Sequence, residues 1–464
     1  NQLIPYTASP LLCRQQTVMP HASVSLLLAL IRPVACLFLG KAAIDSPQSA
    51  YYWPTGRGPI GGYTSSPFSQ PFNLSTPSWS WHHSSSLWST IPVGIAIDEK
   101  KDLYLTAADG IRKFNPDGKL LWTYFRDLSG NQIEVINNAA SLLDGSLFGI
   151  TSLGRVFAVS METGNELWST KAASNADGNY GQVQAHGGVV ITAGEASSHI
   201  DGRPETCCGP GNHVVIGLSA TDGHVLWRYA PKVPVWNFMA SFAEDGTFIF
   251  QDLEGRAHRC NASDGALIWK AGGVPGSWTD GSALLGPNGM VYTVANFKNG
   301  GFGPGRLSAF TFSEGKEIWR TVTPRPPNNM PAIGRLAGHS GLSVVQPMGQ
   351  QCAQGQQIDV RAYDAKTGKI QWVFEGPKQQ GRFVAGDAEG VSARSLNQIQ
   401  TMTMPNPWGP PSIDAKGTVY LGGETGQFFA LQDSNGDGRV EGIEEVSSFE
   451  TGAAFVGSSG PALA

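Results

Sequence analysis

The sequence predicts an all-β fold, a β-propeller of seven to eight four-stranded blades, and three observations carry that reading. Six segments repeat one pattern of strand end, tight turn and second strand closing on tryptophan: 113–122 (KFNPDGKLLW), 158–168 (AVSMETGNELW), 217–227 (GLSATDGHVLW), 259–269 (RCNASDGALIW), 309–319 (AFTFSEGKEIW) and 362–372 (AYDAKTGKIQW). In every copy a glycine stands four residues before the tryptophan, where it can take the positive φ that a short hairpin loop demands. Successive tryptophans from 122 to 372 are 46, 59, 42, 50 and 53 residues apart by subtraction. A period in the forties with room for four short strands is the mark of propeller blades. The composition agrees: 58 Gly and 13 Trp accompany only 15% charged residues, below the roughly 25% of ordinary soluble chains. That profile suits a turn-rich, secreted type of β protein.

Length alone would allow several domains, but a repeat architecture absorbs all 464 residues. The net charge is −5 and there is no basic stripe, which argues against a nucleic-acid partner.

Taken in order, residues 1–43 read as an upstream segment plus a signal peptide. Met19 opens a short polar start, apolar runs follow at 24–30 and 34–39, and small residues end the stretch near Ala43. Arg32-Pro33 interrupts the apolar run, so it makes a poor membrane span; an uncleaved anchor is the rival reading. No later run approaches membrane length. Residues 44–78, rich in Ser, Pro, Gly and aromatics, are expected to form an extended arm lying on the propeller. The propeller itself is assigned to 79–464.

Blade one is expected from Trp88 to Trp122, with alternating apolar positions at 95–98 and 103–105. Blade two follows from Ile133 to Trp168. Blade three runs from Gln182 to Trp227 with an insertion at 195–211, and blade four from Phe238 to Trp269. Blade five extends from Trp278 to Trp319 with a Gly-rich loop at 299–305, and blade six includes the polar stretch 323–340. The seventh runs from Trp408 to about Phe449, and 455–464 reads as the first strand of an incomplete last blade, whose edges would stand open.

These repeats resemble the tryptophan-docking repeats of the quinoprotein (PQQ) dehydrogenase-like β-propellers, from about Trp79 onward. The resemblance implies that each tryptophan packs against the neighbouring blade, where it buries a large apolar area. The superfamily holds PQQ enzymes as well as cofactor-free assembly scaffolds, so the repeat itself says little about chemistry.

The strongest metal signal is 433–444, DSNGDGRVEGIE. It fits a twelve-residue EF-hand calcium loop: Asp433, Asn435 and Asp437 as oxygen donors, Gly438 at the sixth position, the Arg439 carbonyl, Glu441 through water and Glu444 closing the loop. Carboxylates this close repel one another unless a hard cation neutralises them. The rival is a plain acidic hairpin turn, for the entering helix is missing and only 443–449 could form an exiting one. The loop stands where the seventh blade's glycine turn belongs, which gives calcium a bracing role.

Cys207-Cys208 is the next feature. Some PQQ alcohol dehydrogenases, by the same resemblance, have a vicinal disulfide beside the cofactor. The alternatives are a vicinal bridge stiffening the insertion, a bond from one of the pair to Cys260 or Cys352, or free thiols; four cysteines beyond the leader allow three full pairings. A PQQ enzyme would further need a calcium ion, an Asp base, an Arg near the quinone and a Trp floor. Asp280 or Asp387, Arg325, and Trp408 are the candidates of those types, with Cys207 and Cys208 against the cofactor face. The enzymes' catalytic Asp segment and Glu–Asn ligand pair are not found, and no Cys-x-x-Cys-His, Walker loop or His-Glu-x-x-His occurs. Strong blade sequence beside weak catalytic sequence favours a secreted or luminal platform that takes a protein or glycan ligand on a propeller face; a PQQ- and calcium-dependent alcohol or sugar dehydrogenase is the rival.

Overall fold

The computed structural model describes residues 51–88, 94–125, 134–136, 139–176, 183–196, 211–277, 279, 281–297, 303–351, 353–379, 384–396, 406–455 and 460–464. The expected signal segment, Cys207, Cys208, Cys352 and Asp280 lie outside the described residues.

Seven four-stranded antiparallel sheets follow one another along the chain, at 95–125, 141–171, 184–229, 241–272, 284–323, 332–378 and 412–450. Within each sheet the strands stand in chain order, so every connection is a hairpin. First strands of neighbouring blades touch, the second with the third, the fourth with the fifth and the sixth with the seventh. They form the hub of a seven-bladed β-propeller, and the last strands form the rim. Middle strands are packed on both faces, which is why they read as continuous apolar runs: Thr247–Gln251 (TFIFQ) is buried at all five positions.

The rim strands are built differently. In Val225–Tyr229, Trp227 is buried between exposed Leu226 and Arg228. A break in register accompanies each of the six repeat tryptophans: Gly217 pairs with Trp227 while Leu218 pairs with Val225, leaving Leu226 as the bulged residue. The same offset recurs in the first, second, fourth, fifth and sixth blades. One extra residue sharpens the local twist and turns the indole toward the following blade. There its N–H donates to a backbone carbonyl: Trp168 to Ala220 at 3.0 Å, Trp227 to Ala262 at 2.8 Å, Trp269 to Phe312 at 2.9 Å and Trp319 to Ala365 at 3.0 Å. The expected inter-blade packing of the tryptophans is therefore found. The rim strands also continue two to six residues past each tryptophan, further than the blade ends read from sequence.

Two expectations are corrected. Residues 443–449 do not form a helix, because Val446–Glu450 pairs with Gln427–Leu431 as the rim strand of blade seven. The one α-helix among the described residues is Ala388–Leu396, between blades six and seven. Cys260 is a free thiol, wholly buried in a core cluster with Trp227, Phe248 and Phe250, so the pairings that involve it are not made.

No eighth sheet is present among the described residues. Blades seven and one meet through Tyr420 and Phe428 on one side and Ile95 and Ile97 on the other, with Trp53, Phe72, Phe455 and Leu463 packed between them.

Candidate functional site

In a propeller the hub is the natural place for a ligand, because the inner strands expose backbone groups around a common axis. Here the chain supplies partners for those groups itself. Residues 53–66 run around the hub and accept a backbone hydrogen bond from six of the seven inner strands: Ile97 to Trp53, Leu142 to Pro54, Phe242 to Ile60, Leu285 to Gly61, Ile333 to Tyr63 and Ile413 to Thr64, all between 2.8 and 3.1 Å. Such donors would otherwise have to be met by water or a ligand. The segment is anchored by Trp53, which is fully buried, and folds tightly enough that a Cβ on Gly58 would lie 2.9 Å from the Trp53 ring. Its sequence, Trp53-Pro-Thr-Gly-Arg-Gly-Pro-Ile-Gly-Gly62, has the glycines and prolines that such a turn needs, but nothing local says what it covers.

Three buried amides elsewhere are bonded to one another or to backbone. Asn296 donates to Asn328 Oδ1 at 2.7 Å, Gln251 donates to Gly281 O at 3.0 Å, and Asn329 donates to Trp408 O at 2.7 Å.

The described residues of the dehydrogenase reading stand in separate settings. Asp387 accepts from Arg394 Nη2 at 2.5 Å, both buried, within the segment that carries the helix Ala388–Leu396. Arg325 pairs with Asp359 at 2.9 Å, and Asp359 is also held by Arg361 at 2.6 Å. Trp408 is buried between the sixth and seventh blades, with Phe374 and Phe429 at ring-centroid distances of 6.3 and 5.7 Å. Each of these described groups is engaged in its own ion pair or packing contact; Asp280, Cys207 and Cys208, the rest of the set, lie outside the described residues.

The acidic loop 433–445 does take the place of a glycine turn, between the third and fourth strands of blade seven. Asp433 is buried, accepting from Gly436 N at 3.0 Å while its other oxygen meets His339 Nε2 at 2.8 Å. Asn435 Oδ1 accepts from Asp437 N and Asp437 Oδ1 from Arg439 N, each at 2.8 Å. Glu444 is exposed, and Arg439 and Glu441 are exposed and face each other at 4.0 Å. The carboxylate that closes the loop is Glu445, which accepts from the backbone N–H of Ser434, Asn435 and Glu441 at 2.9, 3.1 and 3.3 Å. Sequence reasoning missed it because the twelve-residue register points to Glu444. The oxygen-only donor set suits a hard cation. As folded, the described residues gather no cluster of three or more His, Cys, Asp or Glu side chains of the kind that holds a metal.

The loop also reaches across to blade six. Val440 N donates to Val373 O and Val373 N to Gly438 O, both at 3.0 Å, and Val440 joins the core cluster of Trp372 and Phe374. Beside this clasp a cavity of about 620 Å³ opens, walled by Arg361, Phe374, Glu375, Arg439, Ile443 and Val446.

Comparison with known proteins places this architecture. A family model described as "Outer membrane protein assembly factor BamB" matches residues 90–200 and 205–437. Among solved structures, BamB from Moraxella catarrhalis is similar at 16% identity and a TM-score of 0.50, over 77% of this chain and 87% of that one. A europium-containing methanol dehydrogenase is similar at 12% identity and a TM-score of 0.56, over 88% and 87%. The quinohemoprotein alcohol dehydrogenase from Comamonas testosteroni is similar at 13% identity and a TM-score of 0.57, over 89% and 75%. At such identities the likeness is one of fold. No curated protein matches by sequence. No helix among the described residues is long and apolar enough to cross a membrane.

Proposed function

We propose, from the premise that this chain belongs to the PQQ-like repeat family described as outer membrane protein assembly factor BamB, that it is a non-catalytic binding or assembly platform. On this reading it works on the secretory route, extracellular or luminal, and takes a protein or glycan ligand on a propeller face. The observation that carries the reading is the occupied hub: residues 53–66 satisfy the inner strands with the chain's own carbonyls, where an enzyme of this architecture would keep room for a cofactor. The separate ion pairs of Asp387 and Arg325 support it further.

Calcium enters as a brace. Asp433, Asn435, Asp437 and the Arg439 carbonyl would hold the ion, with Glu445 rather than Glu444 as the closing carboxylate. Bound there, the ion neutralises clustered negative charge on a loop that clasps blade six to blade seven. The surface beside the clasp, with Ile443 86% exposed, is the face best suited to a protein partner.

The test is dye reduction by purified protein given PQQ, Ca²⁺ and a panel of alcohols and aldoses. A platform reduces no dye above the protein-free blank. Turnover that disappears in Asp387→Asn or Asp280→Asn would replace this reading with the dehydrogenase.

A further inference from the structure

The rim of blade six already accepts a strand. In its outer strand, Ile370–Lys378, Val373 turns its N–H and C=O away from the sheet, and the acidic loop meets both: Val440 N donates to Val373 O and Val373 N to Gly438 O, each at 3.0 Å. The loop runs parallel to the strand there, so Gly438–Val440 serves as a fifth strand on an edge that would otherwise stand open. Backbone groups alternate in direction along a strand, and Glu375, two residues on, therefore turns its own N–H and C=O the same way.

The loop does not follow that far. Gly442, where the next pair of bonds would form, has φ 76°, and its carbonyl accepts from Glu445 N at 3.3 Å and Val446 N at 2.9 Å. The chain bends away into the rim strand of blade seven, and the cavity of about 620 Å³ opens between this bend and the edge at Glu375. Pro377 has no N–H and ends the edge.

Val440 buries its side chain in the cluster of Trp372 and Phe374. Residues two apart on a strand share a face, so the next place in that row belongs to Gly442, which brings no side chain. Phe374, Ile443 and Val446 wall the cavity on its apolar side. Among the charged walls, Arg361 is held by Asp359 at 2.6 Å, and Glu375, Arg439 and Glu441 are exposed, so no buried unpaired charge calls for an ion. An open pair of backbone groups beside an apolar wall is what an added strand recognises.

We propose that this edge is the partner-binding element of the chain. It takes a short extended segment of a partner protein, which exchanges backbone hydrogen bonds with Glu375 and sets one apolar side chain against Phe374, Ile443 and Val446. The assignment rests on the platform reading and narrows it: a glycan has no alternating N–H and C=O to match the edge, so the ligand here is a strand-forming peptide.

The probe is a phage-displayed library of linear octapeptides panned on the purified full chain, with the enriched peptides synthesised and titrated by fluorescence anisotropy. Enriched peptides should share an apolar residue. N-methylation of one alternate set of their amides should weaken binding about tenfold, and of the other set little, because a paired strand donates from every second residue. Glu375→Pro, which an edge strand tolerates but which removes the donor, and Ile443→Asp, at an exposed position, should each weaken the same peptides about tenfold. Failure to enrich any peptide, or affinities that neither methylated set nor either variant changes, would overturn the proposal. Should Glu375→Pro fail to fold, Ile443→Asp and the methylated peptides carry the test. Either failure leaves the platform reading standing, since that falls only to PQQ-dependent dye reduction.

Discussion

Trp79 lies on Gly118, with the indole N–H donating to Pro116 O at 3.0 Å and the ring so close that a Cβ on the glycine would sit 2.6 Å from it. The first sheet begins only at Ile95, so the tryptophan that docks on blade one comes from no blade. It repeats the relation of Trp122 to Gly164 and of Trp168 to Gly223 one position earlier around the wheel. The stretch before the propeller thus supplies the docking tryptophan that blade seven's own rim strand, Val446–Glu450, does not carry, and Trp79→Ala should destabilise the protein by about 2–4 kcal/mol, toward the lower end for a half-buried ring. Urea unfolding checks this; a midpoint equal to the parent's would mean that Trp79 merely rests on the surface.

The docking glycines do two things at once. Gly223 has φ 74°, and a Cβ there would meet the Trp168 ring at 2.3 Å. Gly223→Ala combines left-handed strain with overpacking and should cost about 2–4 kcal/mol. Gly246, with φ 79° and nothing within 4 Å of the added Cβ, is the control: Gly246→Ala should cost about 1–2 kcal/mol, the strain alone. Equal losses at the two sites would remove the stacking argument.

The acidic loop separates two neighbouring glutamates. Glu445→Gln weakens the charged acceptor of three backbone N–H groups and should lower stability by about 1–3 kcal/mol without added metal, whereas exposed Glu444→Gln should change it little. With calcium, the parent's melting temperature should fall on adding EGTA, and Asp433→Ala combined with Glu445→Gln should abolish that fall. An EGTA response that survives the pair but vanishes with Glu444→Gln would restore the strict twelve-residue register.

Cys260 offers a chemical check on the core. Burial pushes its thiol up to about 12, and the thiolate is the reactive form. Brief alkylation of the native protein at pH 8, followed by peptide mass spectrometry, should leave Cys260 unmodified, and the same treatment in denaturant should modify it fully. Native labelling at the denatured rate would mean that the cluster around Phe248 and Phe250 opens readily.

The wheel was legible in the sequence because its unit is local. Glycine, turn and tryptophan lie within eleven residues, and a hairpin with a bulge needs nothing from elsewhere in the chain. What joins distant parts was not legible. The route of residues 53–66 around six inner strands depends on carbonyls meeting amides from 44 to 349 residues away by subtraction, and Arg57, buried within that segment, looks in sequence like any loop arginine. The backbone contacts of Glu445 were not legible either, because the twelve-residue register stops at Glu444 while the loop runs on to a rim strand. The same motif left 443–449 open to an exiting helix, whereas Val446–Glu450 pairs with Gln427–Leu431.

Calorimetric titration of the purified protein with PQQ in the presence of Ca²⁺ tests the central claim most directly. A hub filled by its own arm should give no saturable heat up to the solubility of the cofactor, while stoichiometric binding that is lost in Asp387→Asn would contradict the platform account.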